Sequence, residues 1–114
     1  TVFGTGDQIR AFTHVEDIID GVFLTSTTDK MNEIWNIGNA DNITSIVELA
    51  DIVKSKTASK SDITFVDPKT IHGPLYEEAW DKIPDATKIK DLLGWSPKQN
   101  ISEICDDVIA YYAG

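Results

Sequence analysis

Arg10 follows a glycine turn, Gly4-Thr5-Gly6-Asp7, on a stretch that alternates polar and apolar residues. A guanidinium presented from such a strand can grip a phosphate through two parallel hydrogen bonds. The same arginine can equally pair with a surface carboxylate such as Asp17 or Glu16, since most surface ion pairs are incidental. Lys82 and Asp85 flank Pro84 at a spacing of three and offer a cation and an acceptor, enough to address a phosphate and a hydroxyl together, or simply surface charge. His14 and Asp17 stand at i and i+3 at a helix start, the placement of a base with its orienting partner or of half a metal site. A metal hydrolase built on His14, Asp17 and His72 is short of ligands, because His72 is the only other histidine and lies in a loop. The preferred reading has His14 packing or capping, Asp17 serving the helix N-terminus, and no metal bound. Cys105 falls on the apolar face of the last helix and reads as core. Gly4-Thr5-Gly6 and Gly38-Asn39 lack the G-x-G-x-x-G spacing between a strand and a helix, so both read as turns.

The elements that must position these residues follow from periodicity. Gln8 to Phe12 alternates with period two, as a half-buried strand does, and His14 to about Thr27 carries Val15, Ile18, Ile19, Val22 and Phe23 at helical spacing. Glu33 to Gly38 reads as a second strand. Ser45 with Glu48 has capping-box spacing ahead of a helix to about Lys56. Asp62 to Val66 reads as a third strand, so Ile34 to Ile37 and Ile63 to Val66 are expected as parallel neighbours in a βαβ unit. Asp67 to Tyr76, with Pro68, Gly73 and Pro74, shows no periodicity and is the natural place for a site. Asp85 can cap a short helix, Ala86 to Leu93, that stops at Gly94, and Asn100 with Glu103 repeats the capping-box spacing before a helix from Ile101 to about Ala113. The expected fold is α/β, a small lobe with short parallel strands and about four helices.

Length and composition bound the function. The chain has 114 residues, 41% apolar and 25% charged, ordinary proportions for one soluble domain with room for a core. Ten basic against nineteen acidic residues give a formal charge of −9, a mean field that repels nucleic acid and anionic lipid, so only a local basic site can hold an anion. No apolar run is long enough to span a bilayer as a helix. A single cysteine excludes an internal disulfide and suits a reducing, cytoplasmic compartment. Thr1-Val2-Phe3-Gly4 has neither a basic nor an apolar leader segment, and a start without methionine inside a strand or turn points to a fragment, an excised domain or a processed chain.

Taken together, the string from Gly4 to Asp17, with Gln8, Arg10, Phe12, His14 and Val15 in order, resembles the "G-x-G-x-Q-x-R-x-F-x-H/Y-V-x-D" segment of the extended short-chain dehydrogenase/reductase family. These are the NAD-dependent nucleotide-sugar epimerases and dehydratases. Trp35-Asn36-Ile37-Gly38 is similar to that family's "Y/F-N-x-G" strand and Ser45 to Leu49 to its "S/T-x-x-E-L" helix start. Pro84-Asp85-Ala86-Thr87-Lys88 and Leu93-Gly94-Trp95-Ser96-Pro97 resemble its "P-D-x-x-K…L-G-W-x-P" ending. Five ordered matches cover nearly the whole chain.

The resemblance implies the C-terminal part of a Rossmann-type enzyme of the UDP-glucose 4-epimerase-like branch. Residues 1–114 would form a single nucleotide-sugar-binding lobe, with residues 1–30 packing on a Rossmann domain that lies upstream. That upstream part would carry the glycine motif for NAD and the Tyr-x-x-x-Lys pair, in which a tyrosine takes the sugar hydroxyl proton as hydride passes to NAD. The chain itself would then hold no catalytic residue, no cofactor and no metal, and would not perform the reaction alone. Its partners would be a nucleoside-diphosphate sugar and that Rossmann domain, within a homodimeric parent. By the same resemblance Arg10 contacts the diphosphate, Gln8 assists it, and Asp85 meets the nucleotide ribose. Lys82 stands where the family commonly has a second diphosphate arginine, and it brings a point charge without the bidentate fork. The segment from Asp67 to Trp80 looks short for the sugar-side loop. The competing expectation is a non-catalytic α/β binding or interaction module derived from that family.

Overall fold

The computed structural model describes residues 1–114, which form five short strands and five helices. Strand β1 (Val2–Phe3) pairs in parallel with β4 (Phe65–Val66). Strand β2 (Ile9–Ala11) is the centre of a separate three-stranded sheet, antiparallel to β3 (Ile43–Ser45) and parallel to β5 (Asp81–Lys82). The helices are α1 (Val15–Thr27), α2 (Ile46–Lys56), α3 (Lys69–His72), α4 (Thr87–Leu93) and α5 (Ile101–Ala113). The α/β expectation holds. The single turn α3 adds a fifth helix within the segment whose sequence shows no periodicity.

The turn between β1 and β2 needs glycine. Gly6 adopts a φ of +79°, and a Cβ there would lie 2.8 Å from Val2 Cγ1 and 2.9 Å from Val47 Cβ, so both backbone and space exclude a side chain. The close fit brings α2 onto the turn, where the Val47 N–H donates to the Gly6 carbonyl at 3.0 Å. Helix α2 starts with the capping box that Ser45 and Glu48 announce: the Ser45 hydroxyl accepts from the Glu48 N–H at 3.2 Å while Glu48 Oε2 accepts from the Ser45 N–H at 2.9 Å. Asn100 and Glu103 build the second box at α5. Gly94 ends α4 in the left-handed region at φ +69°.

The expected βαβ unit does not form. Residues 33–38 carry no strand pairing, and β4 takes β1 as its parallel neighbour instead. The reason lies in where the polar groups of the 33–38 segment go. The Ile34 carbonyl accepts from Lys88 Nζ at 3.0 Å, the Asn36 amide donates to the Asp85 carbonyl at 3.2 Å, and the Lys88 ammonium sits 5.0 Å from the centre of the Trp35 ring. These polar contacts run to Lys88 of α4 and to the Asp85 backbone and not to a neighbouring strand.

Polar groups dominate the interior. The only apolar residues in the fully buried set besides glycine are Val2, Ile89, Trp95 and Cys105, whereas Gln8, His14, Asp17, Asn39, Asn42, Thr44 and Ser45 are all buried. Asp17, 2% exposed, is the hub. Its carboxylate accepts from the Lys98 N–H at 3.0 Å and the Gln99 N–H at 3.2 Å, and its carbonyl accepts from the Trp95 indole at 2.9 Å. Gly21, one turn along, lets Trp95 and Ile37 approach: a Cβ there would stand 2.7 Å from Ile37 Cγ2 and 3.0 Å from Trp95 Nε1. Asn42 ties the same segment down from the other side, donating to the Gln99 carbonyl at 2.8 Å and accepting from the Ile101 N–H at 3.1 Å. No buried side-chain nitrogen or oxygen is left without a partner.

The consequence for α1 departs from its periodicity. Asp17 and Gly21 face the protein, and the apolar stripe of Val15, Ile19, Val22 and Phe23 faces away, each residue more than half exposed. The molecule is flat, 50 × 39 × 21 Å, with a radius of gyration of 16.9 Å; a compact domain of this length has about 13 Å. Length permits a core that the chain, as folded, does not close.

Asp17→Ala removes an anionic acceptor from two buried backbone N–H groups and is expected to cost at least about 2 kcal/mol of stability, read as a shift in the urea midpoint. The Glu48 carboxyl is held below the usual carboxylate range, first by the Ser45 backbone N–H and then by the Ser45 and Thr44 hydroxyls. Its contribution is therefore present above the unfolded-chain value of about 4.3 and lost as pH falls through the lower folded value. Circular dichroism in an acid titration should show the wild type losing helix in that window, and Glu48→Gln, which has no carboxylate to titrate, lacking that component.

Candidate functional site

Strand β2 places Arg10 at the middle of the three-stranded sheet, opposite Thr44 on one side and Lys82 on the other. Cross-strand partners share a face, so the guanidinium and the Lys82 ammonium are neighbours. Gln8 lies just before β2 and lines the neighbouring cleft. Two cations side by side repel, and a third element supplies the counter-charge. Glu78 Oε1 accepts from Arg10 Nη2 at 2.5 Å, with the two side chains 20% and 19% exposed for Arg10 and Glu78 respectively. Arg10 Nη1 donates to the carbonyls of Ile9 at 2.8 Å and Trp80 at 3.2 Å, which fixes the plane of the guanidinium.

Glu78 is held from its other oxygen too. The Tyr76 hydroxyl donates to Glu78 Oε2 at 2.7 Å. This bond, followed by the hydrogen bond and charge of Arg10 and the charge of Lys82, holds the Glu78 carboxyl below the usual range against the opposing effect of burial. The same bond raises the Tyr76 phenol. Glu78 is therefore an anion at neutral pH. His72 stacks on Tyr76 with ring centres 5.1 Å apart and meets Phe3 edge-on at 5.5 Å, so an aromatic wall stands beside the carboxylate.

A cleft of about 400 Å³ opens in front of this group. Phe3, Gln8, Lys69, Tyr76, Glu78 and Trp80 line it, and Arg10 does not, because Glu78 and Trp80 stand between the guanidinium and the opening. The Gln8 side chain is buried and its amide donates to the Phe3 carbonyl at 3.4 Å, bracing the β1–β2 turn.

Of the residues singled out in the sequence, Arg10 and Lys82 come together on one sheet face, and Gln8 lies at the wall of the neighbouring cleft. Asp85 does not join them. Beyond Pro84 it lies in another groove, with Gly38, Asn39 and Trp95, where its Oδ1 accepts from the Thr87 N–H at 2.9 Å ahead of α4, whose N-cap is Ala86. Arg10 pairs with neither of the carboxylates expected as its surface partners. Asp17 is engaged with Lys98 and Gln99, and Glu16 Oε2 accepts from the Gln99 amide at 3.2 Å, because α1 turns away from the sheet immediately after β2. His14 caps α1: its Nδ1 accepts from the Glu16 N–H at 3.2 Å, leaving Nε2 to donate to Asp107 Oδ2 at 3.2 Å. His72 is far from both in function, stacked in the aromatic wall. No three His, Cys, Asp or Glu side chains are grouped in a way that could hold a metal ion. Cys105 is buried on α5, and burial pushes its thiol up. No helix is long and apolar enough to cross a membrane.

Sequence reasoning missed Glu78 and Tyr76. A signal was present: at i and i+2 in a segment without helix, a phenol and a carboxylate point the same way. The Gly4–Asp7 turn runs into β2 and not into a helix N-terminus, where the glycine-rich motif holds a dinucleotide's pyrophosphate.

The fold of this α/β lobe is that of the corresponding part of the NAD-dependent nucleotide-sugar dehydratases and epimerases of the extended short-chain dehydrogenase/reductase family. The chain belongs to the GDP-mannose 4,6 dehydratase family, whose sequence pattern matches residues 1–108. It is 34% identical over 113 residues to UDP-glucuronic acid decarboxylase 1 of Danio rerio, covering 99% of this chain and 25% of that protein. It is 30% identical over 115 residues to UDP-D-apiose/UDP-D-xylose synthase 2 of Arabidopsis thaliana, covering 93% and 30%. Among solved structures, UDP-glucose 4-epimerase of Thermotoga maritima with UDP-glucose superposes with a TM-score of 0.84 at 26% identity, over 98% of this chain and 34% of that one. UDP-glucuronic acid 4-epimerase of Bacillus cereus, in complex with UDP-glucuronic acid and NAD, gives 0.81 at 25% identity, over 97% and 35%. The chain thus spans between a quarter and a little over a third of the length of these proteins.

Tyr76→Phe removes the largest influence on Glu78, and its carboxyl is expected to titrate at higher pH than in the wild type. Carbon-13 NMR of the glutamate side chains across an acid titration measures the change directly.

Proposed function

We propose that residues 1–114 are the nucleotide-sugar-binding lobe of an NAD-dependent enzyme acting on a UDP-linked sugar, with Arg10 receiving the diphosphate. The observation that carries this is the register of β2 with β5, which sets Arg10 beside Lys82 in a chain of net charge −9. In such a chain a local pair of cations is where an anion can be held. Lys82 adds charge without a fork, so the bidentate contact falls to Arg10. Gln8 shapes the turn at the cleft wall, and Asp85 addresses the nucleotide ribose from its own groove. Binding energy gathered at the diphosphate, remote from the reacting carbon, then orients the sugar.

The reading assigns NAD and the proton-transfer residues to a Rossmann part outside this chain, against which residues 1–30 pack. The exposed stripe of Val15, Ile19, Val22 and Phe23 supports that assignment, since a contiguous apolar helix face is a surface meant to be covered. The whole protein is proposed to be a homodimer, and the single buried thiol suits a cytoplasmic location. For its reaction, the resemblance favours 4-epimerisation, whereas 34% identity to a UDP-glucuronic acid decarboxylase, against 26% to a UDP-glucose 4-epimerase, weights the proposal toward a UDP-hexuronic acid.

Trp80 lines the cleft, so tryptophan fluorescence reports its occupation. UDP is expected to give a saturable, salt-sensitive change, and Arg10→Ala to weaken it by at least about tenfold, the lower end for a charged hydrogen bond. Binding indifferent to Arg10, or none, would favour the competing module without catalysis.

A further inference from the structure

We infer that Glu78 is an internal competitor for the anion site: its carboxylate occupies Arg10 in place of a ligand phosphate and must leave when the diphosphate of a nucleotide binds. This rests on the assignment of Arg10 to the diphosphate and goes beyond it in naming what the ligand displaces.

Three observations carry the inference. Arg10 Nη1 donates to both the Ile9 and the Trp80 carbonyls, so the charged contact with an anion falls to the Nη2 side, where Glu78 already accepts a hydrogen bond at 2.5 Å. Glu78 and Trp80 line the cleft while Arg10 lies behind them, so a phosphate entering the cleft meets a carboxylate first. Both side chains of the pair are about four-fifths shielded from water, where two like charges on one guanidinium repel more strongly than they would in bulk solvent.

The geometry also provides for departure. The Tyr76 hydroxyl, 2.7 Å from Glu78 Oε2, is a second donor on the side away from Arg10 and can retain the carboxylate once the guanidinium is given up. Residues 73–80 are tied to the sheet mainly through the Trp80 carbonyl, which accepts from the Ile9 N–H at 2.7 Å, leaving Glu78 on a segment without ladder bonds of its own. When Glu78 is in place it neutralises the Arg10 and Lys82 pair, and when a diphosphate is in place it does the same with more charge. The site is never left as two unpaired cations.

The test is a titration of UDP, inorganic pyrophosphate and uridine into the full chain as wild type, Glu78→Gln and Arg10→Ala, with Glu78→Asp as a second variant whose shorter arm cannot span Tyr76 and Arg10 together. Melting curves accompany each variant, and Glu78→Asp decides if Glu78→Gln does not fold. Removing a like charge from the site is expected to tighten UDP and pyrophosphate by at least about fivefold and to leave uridine unchanged. Unchanged or weaker UDP binding by Glu78→Gln, with Arg10→Ala still impaired, would overturn the competitor role and show that Glu78 positions the arginine, while leaving the diphosphate assignment standing. An equal gain for uridine would also overturn it, because the effect would then come from loosening the loop. No UDP binding by any form would remove the assignment of Arg10 and this inference with it.

Discussion

The carboxylate of Asp17 holds together parts of the chain that have little else in common. It sits in the first turn of α1, where the helix dipole favours an anion, yet both of its oxygens are used on the backbone N–H groups of Lys98 and Gln99. That grip brings Trp95 over Gly21 and delivers Asn100 to the start of α5. Asn42 and Asn39 close on the Gln99 carbonyl from the other side, so α1, the loop after residue 38 and the start of α5 are joined by one buried polar network. In a chain with so few buried apolar side chains, hydrogen bonds in a shielded setting decide which arrangement of elements is unique.

What was legible in the sequence was whatever is encoded locally. Both capping boxes, the left-handed glycine after α4 and the strand that carries Arg10 depend on neighbours within four residues, and each is found where the spacing puts it. What was not legible depends on partners far along the chain. Residues 33–38 have strand-like composition, but Lys88, more than fifty positions away, takes the Ile34 carbonyl and the face of Trp35, and the pairing with β4 is lost. Strands of two or three residues, such as β1 and β5, have too short a period to announce themselves. Asp17 was read as serving its own helix because sequence spacing cannot show that its oxygens reach residues 98 and 99. Glu78 was passed over for the same reason. Its meaning comes from Arg10, 68 residues earlier.

The amphipathic pattern of α1 is legible in the sequence, but the surface its apolar face serves is not. Helical spacing of Val15, Ile19, Val22 and Phe23 says that one face avoids water, without saying which surface it avoids it against. Here the face toward the lobe is the polar one, organised by Asp17 and Gly21, and the apolar one is outward. The flat shape and sparse apolar interior have the same origin: hydrophobic surface has been placed where it can join a neighbouring body. This accords with a chain that spans about a quarter to a third of its relatives, and it makes the polar network more important, since the lobe must keep its geometry while its apolar contacts lie at its border.

Charge is arranged by the same economy. Nineteen acidic residues against ten basic ones make most of the surface unwelcoming to phosphate, and the sheet gathers Arg10 and Lys82 onto one face against that background. Placing two cations in register would destabilise β2 and β5 if nothing met them. Glu78 meets them, and Tyr76 keeps Glu78 ionised while it does so. On the proposed reading, a site that receives an anion is stable without one because it contains an anion of its own, and a ligand would gain only the difference between its own contacts and those of Glu78. Affinity at such a site is set by exchange, so the strength of the Tyr76 bond, which neither strand can see, becomes part of how tightly a diphosphate is held.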